Sequence, residues 1–91
     1  MVTGIILINT ERSKTNDVAK ALIDTNGITE VFSVGGRFDL VALCRVNTND
    51  QLADLVNVAM ANNPNIVKTE TLIAFQAFSK HDLEAMFSIG N

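Results

Sequence analysis

The sequence predicts an α+β fold of the ferredoxin-like type, in which two helices cover one face of a four-stranded antiparallel sheet. Two observations predict it. Extended and helical patterns follow each other in the order β-α-β-β-α-β, and each half of the chain forms one strand, helix and strand unit. The length of 91 residues suits a single domain. We expect that domain to occupy residues 1–79, followed by a helical tail over residues 80–91.

The first strand and the first helix are predicted from the N-terminal quarter of the chain. β-Branched and aliphatic residues in TGIILIN predict a strand over Thr3–Asn9. Thr15 or Asn16 can then cap a helix, because their side-chain oxygens accept hydrogen bonds from the amides of a first turn. The apolar face of this helix is predicted to consist of Val18, Ala21 and Leu22.

A glycine-containing turn separates two extended runs, ITEVFSVGG and FDLVALCRV. The dipeptide Asn26-Gly27 precedes them and supplies the left-handed residues that end helices. The two runs have the pattern of a β-hairpin, with its break near Gly36 and Arg37. We therefore expect strands two and three to pair in antiparallel fashion.

The second half of the chain repeats the helix and strand pattern. Candidate caps of the second helix are Asn47, Thr48 and Asn49. The apolar stripe of this helix consists of Leu52, Leu55, Val56, Ala59 and Met60. Pro64 stops the helix, and a long strand is predicted over Ile66–Phe78. In the tail, Ser79 is a candidate cap, and the apolar stripe consists of Leu83, Met86 and Phe87.

Both faces of the predicted sheet are apolar. Ile5 and Leu7 alternate with Ile6 and Ile8, Leu40 and Ala42 with Val41 and Leu43, and Leu72 and Ala74 with Ile73 and Phe75. Two helices cover one face only, and a soluble monomer rarely exposes an apolar patch of several hundred Å². We therefore expect a homodimer that packs sheet against sheet. The apolar stripe of the tail would be available to join dimers into a higher oligomer.

Charge and cysteine content argue against several classes of protein. The net charge is −3 and the basic residues are scattered, which argues against direct binding of nucleic acid. No apolar run approaches the roughly 20 residues of a bilayer-spanning helix. The single cysteine cannot form an internal disulfide, and the first residues lack the pattern of a signal peptide. We expect a cytoplasmic protein.

Two motifs resemble those of a known family. The stretch VFSVGGRFDLVALCRV, followed by IVKTETLIAF, resembles the effector-binding domain of the Lrp/AsnC (leucine-responsive, feast/famine) transcription regulators. That family has G-x-[YF]-D at the β2-β3 turn, here residues 36–39, and T-x-T on the last strand, here residues 69–71. The resemblance covers Val2 to Phe78. The helix-turn-helix domain of the regulators has no counterpart here, so the chain resembles a stand-alone version, the RAM domain.

The resemblance implies a dimeric α/β barrel, often assembled into octamers or similar rings, that binds amino acids between subunits. Amides near Gly36 together with Arg37 would hold an α-carboxylate, and Asp39 would hold an ammonium group. The ligand-binding residues implied in this way are Gly36, Arg37, Phe38, Asp39, Thr69 and Thr71. The structural alternative is ordinary hairpin chemistry, with Asp39 accepting backbone amides and the threonines serving as strand residues.

Catalysis is not indicated by the sequence, and no metal ion or cofactor is expected. His81 is the only histidine and has no cysteine nearby in sequence, which argues against a metal site or a catalytic triad. Cys44 alternates with Ala42 and Val46 in a core strand and is interpreted as a buried small side chain.

Three functions follow from this interpretation. The favoured one is a small-molecule sensor with a regulatory role in transcription or amino-acid metabolism and no DNA-binding domain of its own. The second is a structural partner that co-assembles with a full-length Lrp/AsnC regulator. The third is a small enzyme, because ferredoxin-like dimers also host oxygenases and isomerases, and a fold does not fix a function.

Overall fold

Four antiparallel strands form one open sheet in the computed structural model, and two helices pack on one of its faces. The structure describes residues 1–78 and residue 80. The elements are β1 (Val2–Thr10), α1 (Thr15–Ile23), β2 (Ile28–Ser33), β3 (Leu40–Val46), α2 (Asn49–Asn62) and β4 (Ile66–Ala74). The strand order is β2-β3-β1-β4. The predicted ferredoxin-like α+β fold is confirmed. The predicted tail helix, with Ser79 and the stripe of Leu83, Met86 and Phe87, lies outside the described residues.

The hydrophobic core lies between the two helices and the covered face of the sheet. Central strands β1 and β3 supply every second residue to it, as expected for strands with one face on a core. The buried residues from the strands are Ile6, Ile8, Ile28, Leu40, Ala42, Cys44 and Ile66. The helices contribute Val18, Leu22, Leu52 and Leu55.

Helix α2 approaches β1 most closely at Gly4. A Cβ atom added to Gly4 would lie 2.7 Å from Cys44 Sγ and 2.7 Å from Leu52 Cδ1. Real Cβ contacts are longer, so the absence of a side chain at this position lets the helix and the sheet pack together. Gly4 is itself buried.

Replacing Gly4 with alanine is expected to lower the free energy of unfolding by about 1–3 kcal/mol, because Cys44 and Leu52 must shift to admit the methyl group. Urea denaturation measures this loss. The matched control is Gly35→Ala, since a Cβ at exposed Gly35 meets nothing within 4 Å. Equal stability of the two variants would contradict the close contact.

Helix α1 differs from its prediction at the cap and at one position of the apolar face. The N-cap residue is Lys14, which makes no side-chain cap hydrogen bond. Thr15 already lies in the first turn, and its hydroxyl bonds the hydroxyl of Thr10 at 2.7 Å, so the expected cap by Thr15 or Asn16 was wrong. Ala21 is exposed, and Ala19 packs against the core instead. The reason is that α1 turns its buried side toward neighbouring β2.

The turn between α1 and β2 uses one left-handed residue. Gly27 has φ of +99°, whereas Asn26 has no positive φ, so only the glycine of the predicted pair has this role. The helix already ends at the C-cap residue Asp24. Gly27 also contributes its carbonyl oxygen to a hydrogen bond from the Arg45 amide, 2.9 Å away, which joins the turn to β3.

Strands β2 and β3 pair as predicted, but the connection between them is longer than a tight turn. It comprises Val34 to Asp39, here called the β2–β3 loop. Phe38 and Asp39, expected at the start of the third strand, lie in this loop. Gly36 has φ of +111° and faces open space, so this glycine is required for its backbone conformation and not for close packing.

Helix α2 is capped by one of the three predicted candidates. The side chain of Thr48 accepts a hydrogen bond from the Gln51 amide at 3.1 Å, and the Gln51 side chain accepts one from the Asn47 amide at 2.8 Å. The arrangement resembles a capping box, except that the Gln51 side chain binds the amide of the residue before the cap and not that of the cap itself. The predicted stripe is confirmed except at Met60, which is exposed because it lies near the last turn, beyond the sheet-facing part of the helix.

Strand β4 is shorter than the predicted span of Ile66–Phe78. Its pairing with β1 ends where Ala74 meets Thr3, and β1 itself begins at Val2. Continuing this register would place Phe75 opposite Val2, but no pair forms there, and the side chain of Phe75 is fully exposed. No helix among the described residues is long and apolar enough to cross a membrane.

The second face of the sheet carries no layer of secondary structure among the described residues, and we call it the open face. Its apolar residues are Ile5, Leu7, Phe32, Val41, Leu43, Leu72 and Ala74. Ile5 is central, with Leu43 and Leu72 directly opposite on the flanking strands. The predicted apolar second face is therefore present. A homodimer across it remains an expectation at this point.

Candidate functional site

The β2–β3 loop is held against the end of β1 by backbone and side-chain hydrogen bonds. The Val34 amide donates to the Asp39 carbonyl at 3.0 Å, which closes the loop. The Asp39 amide donates to the carbonyl of Ile8 at 2.9 Å, and the Asn9 side-chain amide donates to the Arg37 carbonyl at 2.8 Å. These contacts fix the position of the loop relative to the sheet.

The carboxylate of Asp39 has a structural partner. Its Oδ2 accepts the Thr10 amide at 2.8 Å and lies 3.5 Å from the Thr10 hydroxyl. The structural alternative for Asp39, a carboxylate that accepts a backbone amide, is thus observed. A carboxylate has further acceptor sites, so Oδ1 can still receive a proton donor from a ligand.

Replacing Asp39 with alanine is expected to lower the free energy of unfolding by about 1–3 kcal/mol, since the half-buried Thr10 amide then loses its acceptor. Hydrogen exchange of the Thr10 amide should become faster. Asp39→Asn keeps an acceptor and should lose less. Exposed Asp24 at the end of α1 is the control, because Asp24→Ala removes a carboxylate without touching the loop. Unchanged exchange at Thr10 in Asp39→Ala would contradict this role.

The tip of the loop is accessible to solvent. Gly36 and Arg37 are exposed, and Phe38 is half-buried. A Cβ atom added to Gly35 or Gly36 would meet nothing within 4 Å, so the space beside the backbone at the loop tip is open. The loop therefore offers amide donors, one guanidinium group and part of an aromatic ring at a fixed position.

The threonine pair lies on the covered face of the sheet. Thr69 pairs with Ile8 and Thr71 with Ile6, and directly opposite residues of antiparallel strands point to the same face. Thr69 is half-buried and Thr71 is exposed. Strand β1 lies between β4, which carries the two threonines, and β3, which follows the loop. The two strands are therefore separated by two strand spacings of about 4.8 Å each.

The predicted site residues therefore form two groups within one chain. Residues 36–39 line none of three concavities that occur among the described residues. Thr71 lies in a concavity of about 350 Å³ between α2 and β4, here called the α2–β4 groove. A larger concavity of about 540 Å³ lies at the other side of α2, beside Gly27 and Asp54.

Sequence reasoning missed the two residues that fix the loop, Asn9 and Thr10. The available signal was the pair of polar residues that ends the apolar run of β1, where the hairpin loop must pass. Cys44 is buried as predicted, and burial raises the pKa of its thiol. Its Sγ donates a hydrogen bond to the Gly4 carbonyl at 3.6 Å. His81 lies outside the described residues, and no cluster of metal-binding side chains occurs among residues 1–78.

Comparisons with known proteins agree with the fold of the chain. The family model of the Lrp/AsnC ligand binding domain matches residues 3–83. The protein TTHA0845 from Thermus thermophilus is 32% identical, with a TM-score of 0.80, and the match covers 88% of this chain and 100% of that chain. FFRP-DM1 is 29% identical, with a TM-score of 0.78, and the match covers 82% and 100% of the two chains. A search of curated protein sequences found no match.

A feast or famine regulatory protein from M. tuberculosis, solved in complex with L-methionine, shares the fold at 22% identity and a TM-score of 0.76. The match covers 88% of this chain and 54% of that protein, so this chain spans about half the length of that regulator. The fold and the family match together define a ligand-binding domain of the Lrp/AsnC type. The chain belongs to the Lrp/AsnC ligand-binding domain family.

Proposed function

We propose that this chain is an effector domain that binds a small molecule of the amino-acid class at sites formed between subunits. The observation that carries the proposal is the β2–β3 loop, which is fixed to β1 yet exposes Gly36 and Arg37. The amino-acid class is supported by the M. tuberculosis protein of the same fold, which was solved with L-methionine. The role is regulatory, in transcription or amino-acid metabolism, and the location is the cytoplasm.

The loop supplies groups of both charges for a zwitterion. The Arg37 guanidinium and the amides near Gly36 would bind the α-carboxylate, because charge-assisted and bidentate hydrogen bonds are the strong ones. The free Oδ1 of Asp39 would accept the ammonium group, since Oδ2 already accepts the Thr10 amide. The half-buried ring of Phe38 would form an apolar wall.

A second subunit would complete the site. The loop and the threonine pair lie on different parts of one chain, so Thr69 and Thr71 would contact a ligand held by the loop of a neighbouring copy. The threonines lie on the covered face, so the copy that contacts them would belong to a neighbouring dimer in a higher oligomer. The open face gives a reason for the dimer itself, because its apolar side chains gain by burial. We propose a homodimer that packs open face on open face as an α/β barrel and assembles further into a higher oligomer.

Thermal unfolding in the presence of each amino acid tests the proposal. A ligand at a hundredfold excess over its dissociation constant stabilises the form that binds it by about 2.7 kcal/mol. Each kcal/mol moves the unfolding midpoint of a domain of this size by roughly 4–8 °C. We expect at least one amino acid, L-methionine being the first to try, to raise the midpoint.

Arg37→Ala is the informative variant, because an exposed loop side chain can be removed without changing the core. It should abolish the ligand-induced shift, whereas Arg12→Ala, at an equally exposed arginine between β1 and α1, should keep it. A flat response of the unaltered chain to all amino acids would contradict the proposal. In that case, mixed oligomers with a full-length Lrp/AsnC regulator in a pull-down would favour the structural partner.

A further inference from the structure

The α2–β4 groove is an apolar concavity that the proposed dimer leaves open. Its volume is about 350 Å³, and Leu52, Val56 and Ile73 form its apolar surface. The side chain of Ile73 is 46% exposed although it lies on the helix-bearing side of the sheet. A second copy packed on the open face lies on the opposite side, so it does not cover Ile73.

We propose that this groove binds the apolar stripe formed by Leu83, Met86 and Phe87 of the same chain. The chain leaves β4 beside the groove, since Ile73 lines it and the strand ends at the next residue, Ala74. The segment that follows β4 therefore starts at its own docking site.

The length of the connecting segment suffices for a return along α2. Nine residues lead from Ala74 to Leu83 and reach up to about 30 Å when extended. The groove follows α2 from Asn49 to Asn57, which corresponds to about 12 Å of helix. The connection can thus reach every part of the groove without strain.

The stripe and the groove match in size and polarity. Positions i, i+3 and i+4 share one helix face, so in a helix the three side chains would occupy about 6 Å along the axis. That length fits within the part of α2 that borders the groove. The groove also has a polar rim, with Asn57 on α2 and Thr71 on β4, where the polar neighbours of the stripe, such as Asp82 and Glu84, can remain in water.

The groove should bind the tail of its own chain in preference to the tail of another copy, because the groove and that tail are covalently connected. A short connection gives the tail an effective concentration in the millimolar range at its own groove. The tail of a chain outside the assembly, at micromolar concentration, competes poorly with that, and the cross-link described below distinguishes the chain's own tail from the tail of a partner in the dimer. Docking of the tail does not depend on ligand binding, but a docked tail would cover Thr71, so docking and a ligand contact at Thr71 would exclude each other.

Disulfide cross-linking in the full chain tests the inference. Ala53 is exposed, lines the groove and lies on the same side of α2 as Val56. Ala53→Cys combined with Met86→Cys should form a disulfide within one chain under mild oxidation. The matched control is Asp54→Cys with Met86→Cys, because Asp54 is exposed on the same helix but borders the other concavity.

We expect the Ala53 pair to oxidise at least tenfold faster than the Asp54 pair, with a product of single-chain mass in denaturing electrophoresis. A rate no faster than that of the control pair would overturn the inference. A product with the mass of two chains would also overturn it, because the tail would then dock on another copy. A second measurement needs no cysteines. Phe87→Ser should shift the amide resonances of Ala53 and Ile73 and leave the amide resonance of Gly36 in place. Docking would be contradicted if none of the three resonances moved.

Discussion

Replacing Ile5 with aspartate is expected to raise the dissociation constant of the proposed homodimer by roughly a thousandfold or more. Ile5 is the centre of the open face, with Leu43 and Leu72 directly opposite it on the neighbouring strands. Twofold symmetry places the new carboxylate twice in the same apolar interface. Burying an unpaired charge costs several kcal/mol, and each 1.4 kcal/mol corresponds to a factor of ten in the constant.

The monomer itself should keep its fold, because Ile5 points away from the helices. Light scattering as a function of concentration measures the dissociation constant, and circular dichroism checks that the secondary structure is retained. Ile23→Asp is the matched control, since Ile23 is 49% exposed on α1 and lies outside the open face. A dissociation constant within tenfold of the unaltered chain in Ile5→Asp would contradict an interface across this face.

Truncating Ile8 to alanine is expected to lower the free energy of unfolding by about 2–5 kcal/mol. Its side chain is only 1% exposed in the core between the sheet and the helices, so truncation removes buried methylene groups and leaves a cavity. Single domains have about 5–15 kcal/mol of stability in total. The variant therefore loses a large part of it.

Urea denaturation at two protomer concentrations separates this effect from association. The loss caused by Ile8→Ala should be the same at both, because Ile8 acts within one chain. Ile23→Ala, on the exposed side of α1, should change stability by no more than about 0.5 kcal/mol. A loss below 1 kcal/mol for Ile8→Ala would mean that the residue is not part of the core.

Alternation and periodicity were sufficient to predict the elements and the layers of the fold. The apolar alternation of β1 and β3 and the stripe of α2 are strong local patterns, and local patterns are what a sequence displays directly. Element ends were predicted less well, because they depend on partners. Strand β4 stops at Ala74, one register position short of the first residue of β1, Val2, and no feature of the segment around Phe75 indicates that limit.

The loop chemistry shows why the candidate site could be predicted only in part. The motif at residues 36–39 located the loop, and Gly36 has the positive φ that a turn glycine suggests. The contact of Asp39 with Thr10 joins residues 29 positions apart, so neither sequence neighbourhood reveals it. The same holds for the hydrogen bond from Asn9 to the Arg37 carbonyl. Tertiary contacts of this kind can be predicted only when the register of β1 against β3 is known, and residue spacing alone does not give that register.

The two faces of the sheet have different roles in this account. Side chains on the covered face, such as Ile6 and Ile8, stabilise the single chain against the helices. Side chains on the open face, such as Ile5 and Leu7, have no such layer and would stabilise an assembly. The proposed ligand site would depend on such an assembly, because the loop and the threonine pair are separate within one chain.

Sedimentation equilibrium of the unaltered chain at micromolar concentration tests the central claim most directly. If the open face is buried on a second copy, the mass must be at least twice the 9.9 kDa of one chain, and no folded monomer should accumulate on dilution through this range. A stable, fully folded species of single-chain mass at these concentrations would contradict the account. It would leave the open face in water and the ligand site without its second half.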